Sequence, residues 1–306
     1  MRMRKILFGL TVIFAVAGLV ACGAPDRNAA ATEKEETKQE TENAQVKAAL
    51  EKLEKKYGAT LGVYGMDMGS KQTIRFNAEE RFAYASTFKA IAGGILLKNL
   101  TDEQLNKRFT FSKEDLVDHS PITEKHVDSG MTMKELINAS MTYSDNTAAN
   151  LTLQQIGGPK GFEKELVKIG DTTMKPVRFE PELNDAVPGD IRDTTTPEAM
   201  AKTFAYLLTE GNLPADRLAY FKQTLIDNTT GATLIRAGVP AGYVVGDRTG
   251  AGSYGTRNAI AMIYPKDKDA KPLVWVIYSK KTGKDDEYND QLIADAAKVL
   301  SDYYSL

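Results

Sequence analysis

The sequence predicts an α+β fold: one antiparallel sheet built from both ends of the chain, flanked by the terminal helices, with an all-helical domain inserted between its halves. Two observations carry this. Strand-like apolar runs, separated by turn residues, occur near both ends of the folded part, while the long middle reads as helices and loops. Strands confined to the ends share one core most simply by meeting in a single sheet that the terminal helices cover.

The elements follow in order. Val46, Ala49, Leu50, Leu53 and Tyr57 recur at helical spacing, and Gly58 follows as a C-terminal cap. Leu61 to Met66 suits a strand, Gly69-Ser70 a turn, and Thr73 to Phe76 a returning strand. Tyr243 to Asp247, Ala259 to Tyr264 and Leu273 to Tyr278 are three further strands. Asp290 to Tyr303 is a closing helix with Ile293, Ala297 and Leu300 on its apolar face. The division is therefore residues 46–77 and 229–306 for the α/β domain and 78–228 for the inserted helical domain. No internal repeat is visible.

The first 45 residues have another character. Arg2, Arg4 and Lys5 precede an apolar stretch from Ile6 to Val20, which is short for a membrane span. Residues 1–22 read as a secretory signal ending in Leu19-Val20-Ala21-Cys22, similar to a bacterial lipobox, in which the cysteine is lipidated. Plain cleavage near Ala21 is the alternative. The lipid would hold the domain on the outer side of the cytoplasmic membrane, with a shed soluble form as a variant. Residues 23–45 are small, polar and charge-mixed, so they read as a flexible tether, although they include fair helix formers.

Bulk properties exclude several function classes. The formal net charge is −2, and loss of the three basic residues before Ala21 would make it about −5. That is no footprint for nucleic acid. Cys22 is the single cysteine, so no internal disulfide can form. With only two histidines, His119 and His126, a zinc site is not expected. A serine–histidine site has little to draw on, and a lysine-based one competes with it.

Such a site is visible. In Ser86-Thr87-Phe88-Lys89 the hydroxyl and the amine are three residues apart and share a helix face. A serine hydroxyl becomes a good nucleophile only when a neighbour takes its proton. The apolar run Ala90 to Leu97 after Lys89 would desolvate the amine and favour its neutral form. Taken alone, the pattern equally suits a helix cap, with Ser86 satisfying amide groups. Ser144-Asp145-Asn146 and Arg248-Thr249-Gly250 follow further along, and the former also suits an N-cap.

These three motifs resemble those of the serine penicillin-recognising enzymes. Arg178-Phe179-Glu180-Pro181-Glu182-Leu183-Asn184 sharpens the resemblance to class A β-lactamases of the lipoprotein penicillinase type, whose Ω-shaped loop, here about residues 175–194, carries Arg-x-Glu-x-x-x-Asn. The resemblance covers about residues 46–306 and implies the β-lactamase/transpeptidase-like fold. It implies Ser86 as nucleophile, Ser144 as proton carrier to the leaving group, and Glu180 with Asn184 holding the deacylating water. Whether Lys89 directly or Glu180 through water deprotonates Ser86 stays open.

The resemblance further implies that Asn146 holds the substrate amide and that Asp145 braces its loop. Main-chain N–H groups of Ser86 and Ala251 would form the oxyanion hole. Thr249 and Arg257 would take the substrate carboxylate, with Arg248 behind them. Asn150 would bond the Ω-loop backbone, Arg178 would pair with Asp193 across its neck, and Pro181 and Pro188 would stiffen it. Arg236 is a candidate partner for Asp247. No metal and no organic cofactor are implied, and a monomer is expected. The sequence departs from the family at two places. Arg248 stands where most members have Lys, as in a carbenicillin-hydrolysing subgroup. His119 stands where an aromatic gate residue is common, and it is either a stacking residue or a loop residue without a role.

The implied activity is hydrolysis of β-lactam antibiotics, penicillins and by Arg248 carboxypenicillins, giving resistance. A penicillin-sensitive transpeptidase or carboxypeptidase shares the first two motifs but is not expected to carry Glu180. A receptor domain that stays acylated is the non-enzymatic alternative.

Overall fold

The computed structural model describes residues 27–265 and 271–306, with side chains from Thr41 onward. The expectations for residues 1–22, Cys22 included, lie outside the described residues. The chain divides into two compact units, Met1–Thr41 and Glu42–Leu306, and the second holds the sheet and every candidate site residue except Cys22.

Helix α1 (Arg27–Tyr57) begins well before the apolar periodicity at Val46, within the segment read as a tether. Ala, Glu, Lys and Gln dominate that segment and are strong helix formers even without a core to bury. Strands β1 (Thr60–Asp67) and β2 (Thr73–Phe76) follow as an antiparallel pair.

The inserted segment opens with β3 (Phe82–Ala83), α2 (Phe88–Asn99), α3 (Asp102–Asn106), β4 (Arg108–Phe109) and β5 (Met131–Thr132). It continues with α4 (Met133–Tyr143), α5 (Asn146–Ile156), α6 (Gly158–Lys168), β6 (Thr194–Thr195), α7 (Pro197–Leu208) and α8 (Ala215–Ile226). It is not all helical, because β3 pairs with β6 and β4 with β5. Strands of two residues show no alternation, so the sequence hides them. The β3–β6 pair matters, because it clips the end of the Ω loop to the chain entering Ser86.

After α9 (Ile235–Gly238) the chain returns to the sheet through β7 (Val244–Gly252), β8 (Thr256–Tyr264) and β9 (Leu273–Lys280), and it closes with α10 (Asp290–Tyr303). The sheet order is β2-β1-β9-β8-β7, antiparallel throughout. The last strand thus lies between the first and the eighth, as a sheet built from both chain ends requires. Strand β7 runs past Asp247 to Gly252 and forms one edge, carrying Arg248-Thr249-Gly250.

Alternating side chains bury both faces. Leu61, Val63, Ala259, Ala261, Ile263, Trp275 and Ile277 pack against α1 and α10 through Val46, Leu50, Leu292, Ile293, Ala297 and Leu300. Tyr64, Ile260, Met262, Val274, Val276 and Tyr278 point the other way and join the core of the inserted helices. Helix α2 is central to that second core, with Phe88 through Leu97 all buried. A Cβ at Gly93 would lie 2.4 Å from the Met141 sulfur, so glycine lets α4 close on α2. Ser86 is thus placed in the turn that leads into this buried helix.

Candidate active site

Ser86 sits in a 3₁₀ turn (Ala85–Thr87) that leads directly into α2. No side chain caps either start, so Ser86 does not spend its hydroxyl on the helix. Its Oγ instead donates to Glu180 Oε1 at 3.2 Å. Thr87 Oγ1 donates to the Tyr84 carbonyl at 2.6 Å and lies 2.7 Å from the Tyr278 hydroxyl, which fixes the turn.

One turn on, Lys89 is enclosed completely. Its Nζ lies 3.0 Å from Glu180 Oε1, and both side chains have zero exposure. It also donates to Asn146 Oδ1 at 2.5 Å, to the Ser144 carbonyl at 2.9 Å and to Ser144 Oγ at 3.3 Å. Burial pulls its pKa from the usual lysine value down to about 8; the Glu180 carboxylate opposes that fall and Arg248 adds to it.

Ser144 ends α4 in the left-handed region, with φ +62°, which turns its hydroxyl back toward α2. Asp145 then caps α5 by accepting from Ala148 N at 2.8 Å, and it also accepts from Ile122 N and Thr123 N at 2.9 and 2.8 Å. The capping reading therefore holds for Asp145 alone. Ser144 Oγ receives Lys89 Nζ and Arg248 Nη2, so its own hydrogen goes to Ser86 Oγ at 3.2 Å. The hydrogens thus run one way, from Ser144 to Ser86 to Glu180.

The Ω loop delivers Glu180. Asn150 Nδ2 donates to the Glu180 carbonyl at 2.8 Å, and its Oδ1 accepts from Glu180 N at 2.9 Å, so α5 grips the loop at this residue. Arg178 Nε meets Asp193 Oδ2 at 2.5 Å, and Asp193 Oδ1 accepts from Val177 N, Arg178 N and Tyr84 OH. Asn184 Nδ2 donates to Glu180 Oε2, while Asn184 Oδ1 is buried without a protein partner. The Glu180–Pro181 peptide bond is cis. At the far end, Ser253 N donates to the Asn184 carbonyl at 3.1 Å and ties the loop to the end of β7.

Strand β7 passes the nucleophile closely. A Cβ on Gly250 would lie 3.0 Å from Ser86 N and 3.2 Å from the Tyr84 carbonyl, so any larger residue would push β7 or the Ser86 turn back by a few tenths of an ångström. Asn258, opposite Gly250, donates to the carbonyls of Ala83 and Tyr84 at 2.7 and 3.3 Å and braces the same segment from β8.

Residues 45–304 match the model of the β-lactamase enzyme family. The chain is 52% identical over 250 residues to a β-lactamase of Bacillus amyloliquefaciens, covering 82% of this chain and 81% of that one. Identity to a β-lactamase of Bacillus licheniformis is 45% over 289 residues, covering 94% and 92%. The chain belongs to the class A β-lactamase family. Among solved structures, a halotolerant bacterial β-lactamase has TM-score 0.81 at 50% identity, covering 83% of this chain and 98% of that one. A class A β-lactamase from Clostridium kluyveri has TM-score 0.84 at 43% identity, covering 86% and 100%.

Within this β-lactamase fold, Arg248 is fully buried, and burial brings its pKa down to about 10 against the pull of Glu180 and Asp247. Besides Ser144 it reaches Thr230 Oγ1 at 3.3 Å and Thr249 Oγ1 at 3.5 Å through Nη1. Arg236 pairs with Asp247 at 2.8 Å. Ala251 lies on β7 opposite Arg257. Arg257, expected beside Thr249 at the substrate carboxylate, has protein partners of its own. Its Nε and Nη2 are held by Asp290 at 2.7 and 3.2 Å, and Tyr288 covers its guanidinium at 4.7 Å. His119 is exposed with φ +62°; its Nε2 lies 3.2 Å from the Tyr143 carbonyl, at the residue before Ser144.

Four contributors escaped the sequence reading. Tyr84 anchors Asp193, Asp290 holds Arg257, Thr230 bonds Thr249 of the third motif, and Asn228 bonds Asp247 just before it. None belongs to a motif, and Asp290 is legible in sequence only as the start of the last helix.

Glu180 is the main influence holding the Lys89 pKa up. In Glu180→Gln that influence goes while burial stays, so the Lys89 pKa should drop below about 8. A ¹³Cε NMR titration of the lysines reads this directly, and an unchanged or raised value would contradict the paired arrangement.

Proposed function

We propose that Ser86 is the nucleophile of this β-lactamase and that Glu180 is the base in both halves of its reaction. The hydrogen bond from Ser86 Oγ to Glu180 Oε1, 3.2 Å long, carries this reading. Ser86 Oγ attacks the lactam carbonyl carbon as its proton passes to Glu180. The oxyanion sits between the N–H groups of Ser86 and Ala251, for which the tight approach at Gly250 gives support. The ring C–N bond breaks, and Ser144 gives its proton to the departing nitrogen. Lys89, 3.3 Å away, restores the proton of Ser144 and recovers its own from Glu180 at 3.0 Å. Four short steps therefore return every group to its starting charge.

Deacylation uses the same carboxylate. Glu180 and the unpartnered Oδ1 of Asn184 face one water between them, and Glu180 takes its proton as oxygen adds to the ester carbonyl. The ester C–O bond breaks, and Ser86 regains the proton from Glu180. Thr249 receives the substrate carboxylate with Arg257 beside it. Asn146 binds the side-chain amide, His119 lines the entrance, and Asp145, Asn150, Arg178 and Asp193 hold the loops.

Cys22 is proposed to carry a lipid anchor on the outer face of the cytoplasmic membrane, with residues 23–45 as the spacer. The substrates are penicillins, extended to carboxypenicillins by Arg248, whose planar fork reaches Ser144 through Nη2 and Thr249 through Nη1, a geometry different from that of a single ammonium nitrogen.

With chelator present, the wild type should show sustained turnover of benzylpenicillin. Glu180→Ala should slow acylation and slow deacylation by more, about a hundredfold or more, so that a Ser86 adduct accumulates and is visible by mass spectrometry. Wild-type turnover in that variant would remove Glu180 from its role, and a stable adduct on the wild type would mark a penicillin target. In a Gram-positive host, Cys22→Ser should move the enzyme from the membrane fraction to the medium. An unchanged distribution would dismiss the anchor. Arg248→Lys should lower kcat/KM for carbenicillin more than for benzylpenicillin, and equal effects would separate Arg248 from carboxypenicillin use.

A further inference from the structure

Behind the third motif runs a chain of side chains that the reaction itself does not use. Asp247 is fully buried, and its Oδ1 accepts from Arg236 Nη2 at 2.8 Å, from Arg236 Nε at 3.1 Å and from Asn228 Nδ2 at 2.8 Å. A carboxylate only accepts, so it fixes which way the buried Asn228 amide faces. Asn228 Oδ1 must then point at Thr230, accepting from its N at 3.2 Å and from its Oγ1 at 2.9 Å.

A hydroxyl has one hydrogen. Thr230 has committed its own to Asn228, so at the 2.6 Å contact between Thr230 Oγ1 and Thr249 Oγ1 the donor is Thr249. Arg248 Nη1 donates toward both oxygens and so leaves that polarity to be set by Asn228. Thr249 in the free enzyme therefore turns its hydrogen away from the substrate, although an anionic substrate group needs a donor. Its hydroxyl must leave a short bond before it can serve.

We propose that Asn228 and Thr230 are positioning residues that set the hydrogen-bond polarity of Thr249 and so tune the enzyme's affinity for substrates carrying a carboxylate. The proposal rests on the assignment of Thr249 to that carboxylate. Removing the competing acceptor frees the hydrogen of Thr249 and strengthens the first, pre-acylation complex. The gain is confined to anionic substrates.

The test compares benzylpenicillin with its methyl ester, reading the dissociation constant of the pre-acylation complex by stopped-flow acylation. Thr230→Val should tighten benzylpenicillin by about fivefold, the worth of one neutral hydrogen bond, and leave the ester unmoved. Asn228→Leu, which lets Thr230 turn its hydrogen toward Thr249, should act in the same direction. Thr230→Ser keeps the acceptor and should behave as wild type. Thr230→Ala repeats the experiment if valine does not fit. Weaker or unchanged benzylpenicillin binding in Thr230→Val, or equal shifts for acid and ester, would overturn the proposal. Thr249→Val separates the two layers. If it weakens the acid and not the ester, the carboxylate assignment stands and Thr230 is judged alone; if it moves neither, both fall.

Discussion

The arrangement depends on one buried ion pair, Lys89 with Glu180. Both side chains are sealed from solvent, so each charge would be costly without the other. Their pairing fastens the start of α2 to the middle of the Ω loop, beyond the reach of the β3–β6 ladder at the loop's end. A second cation, Arg248, stands nearby and is buried as deeply. Three buried ionisable groups thus lie close together, and Ser144 and Ser86 are hydrogen-bonded among them. Removing the Glu180 carboxylate would leave two buried cations facing each other, so this one charge ties together the loop, the helix and the edge strand.

That unit is also directional. Cations donate and carboxylates accept, so the hydroxyls between them have no freedom in where their hydrogens point. Serine and threonine, ambiguous elsewhere, become defined here by the charges at the ends of their chains. The same logic acts twice: toward Glu180 through Ser144 and Ser86, and toward Asp247 through Thr249, Thr230 and Asn228. Placing the chemistry between fixed charges spares the site from reorganising its dipoles when the reaction begins.

Much of this was legible in the sequence because it is local. The strands of the sheet show as apolar runs, and Ser86 with Lys89 shows as an i, i+3 pair. The Ω loop shows through Arg178, Glu180 and Asn184. Less legible were features that depend on distant partners of common type. Arg257 looks free in sequence because Asp290 lies far along the chain. Thr230 and Asn228 look like loop residues because their bonds reach across to β7. The β3–β6 ladder is too short to leave a pattern. The early start of α1 comes from residues that favour helix without burial, which a core-based reading passes over.

The sheet order has a consequence for how the protein is made. Strand β1 pairs over its full length with β9, Thr60 opposite Lys280 and Asp67 opposite Leu273. A growing chain therefore holds its first strand without its central partner until almost the whole polypeptide has been synthesised. Pairing across such a separation is slow compared with local helix formation. Until the last strand arrives, the sheet lacks the strand that joins β1 and β2 to β8 and β7, so its two halves stay separate almost to the end of synthesis.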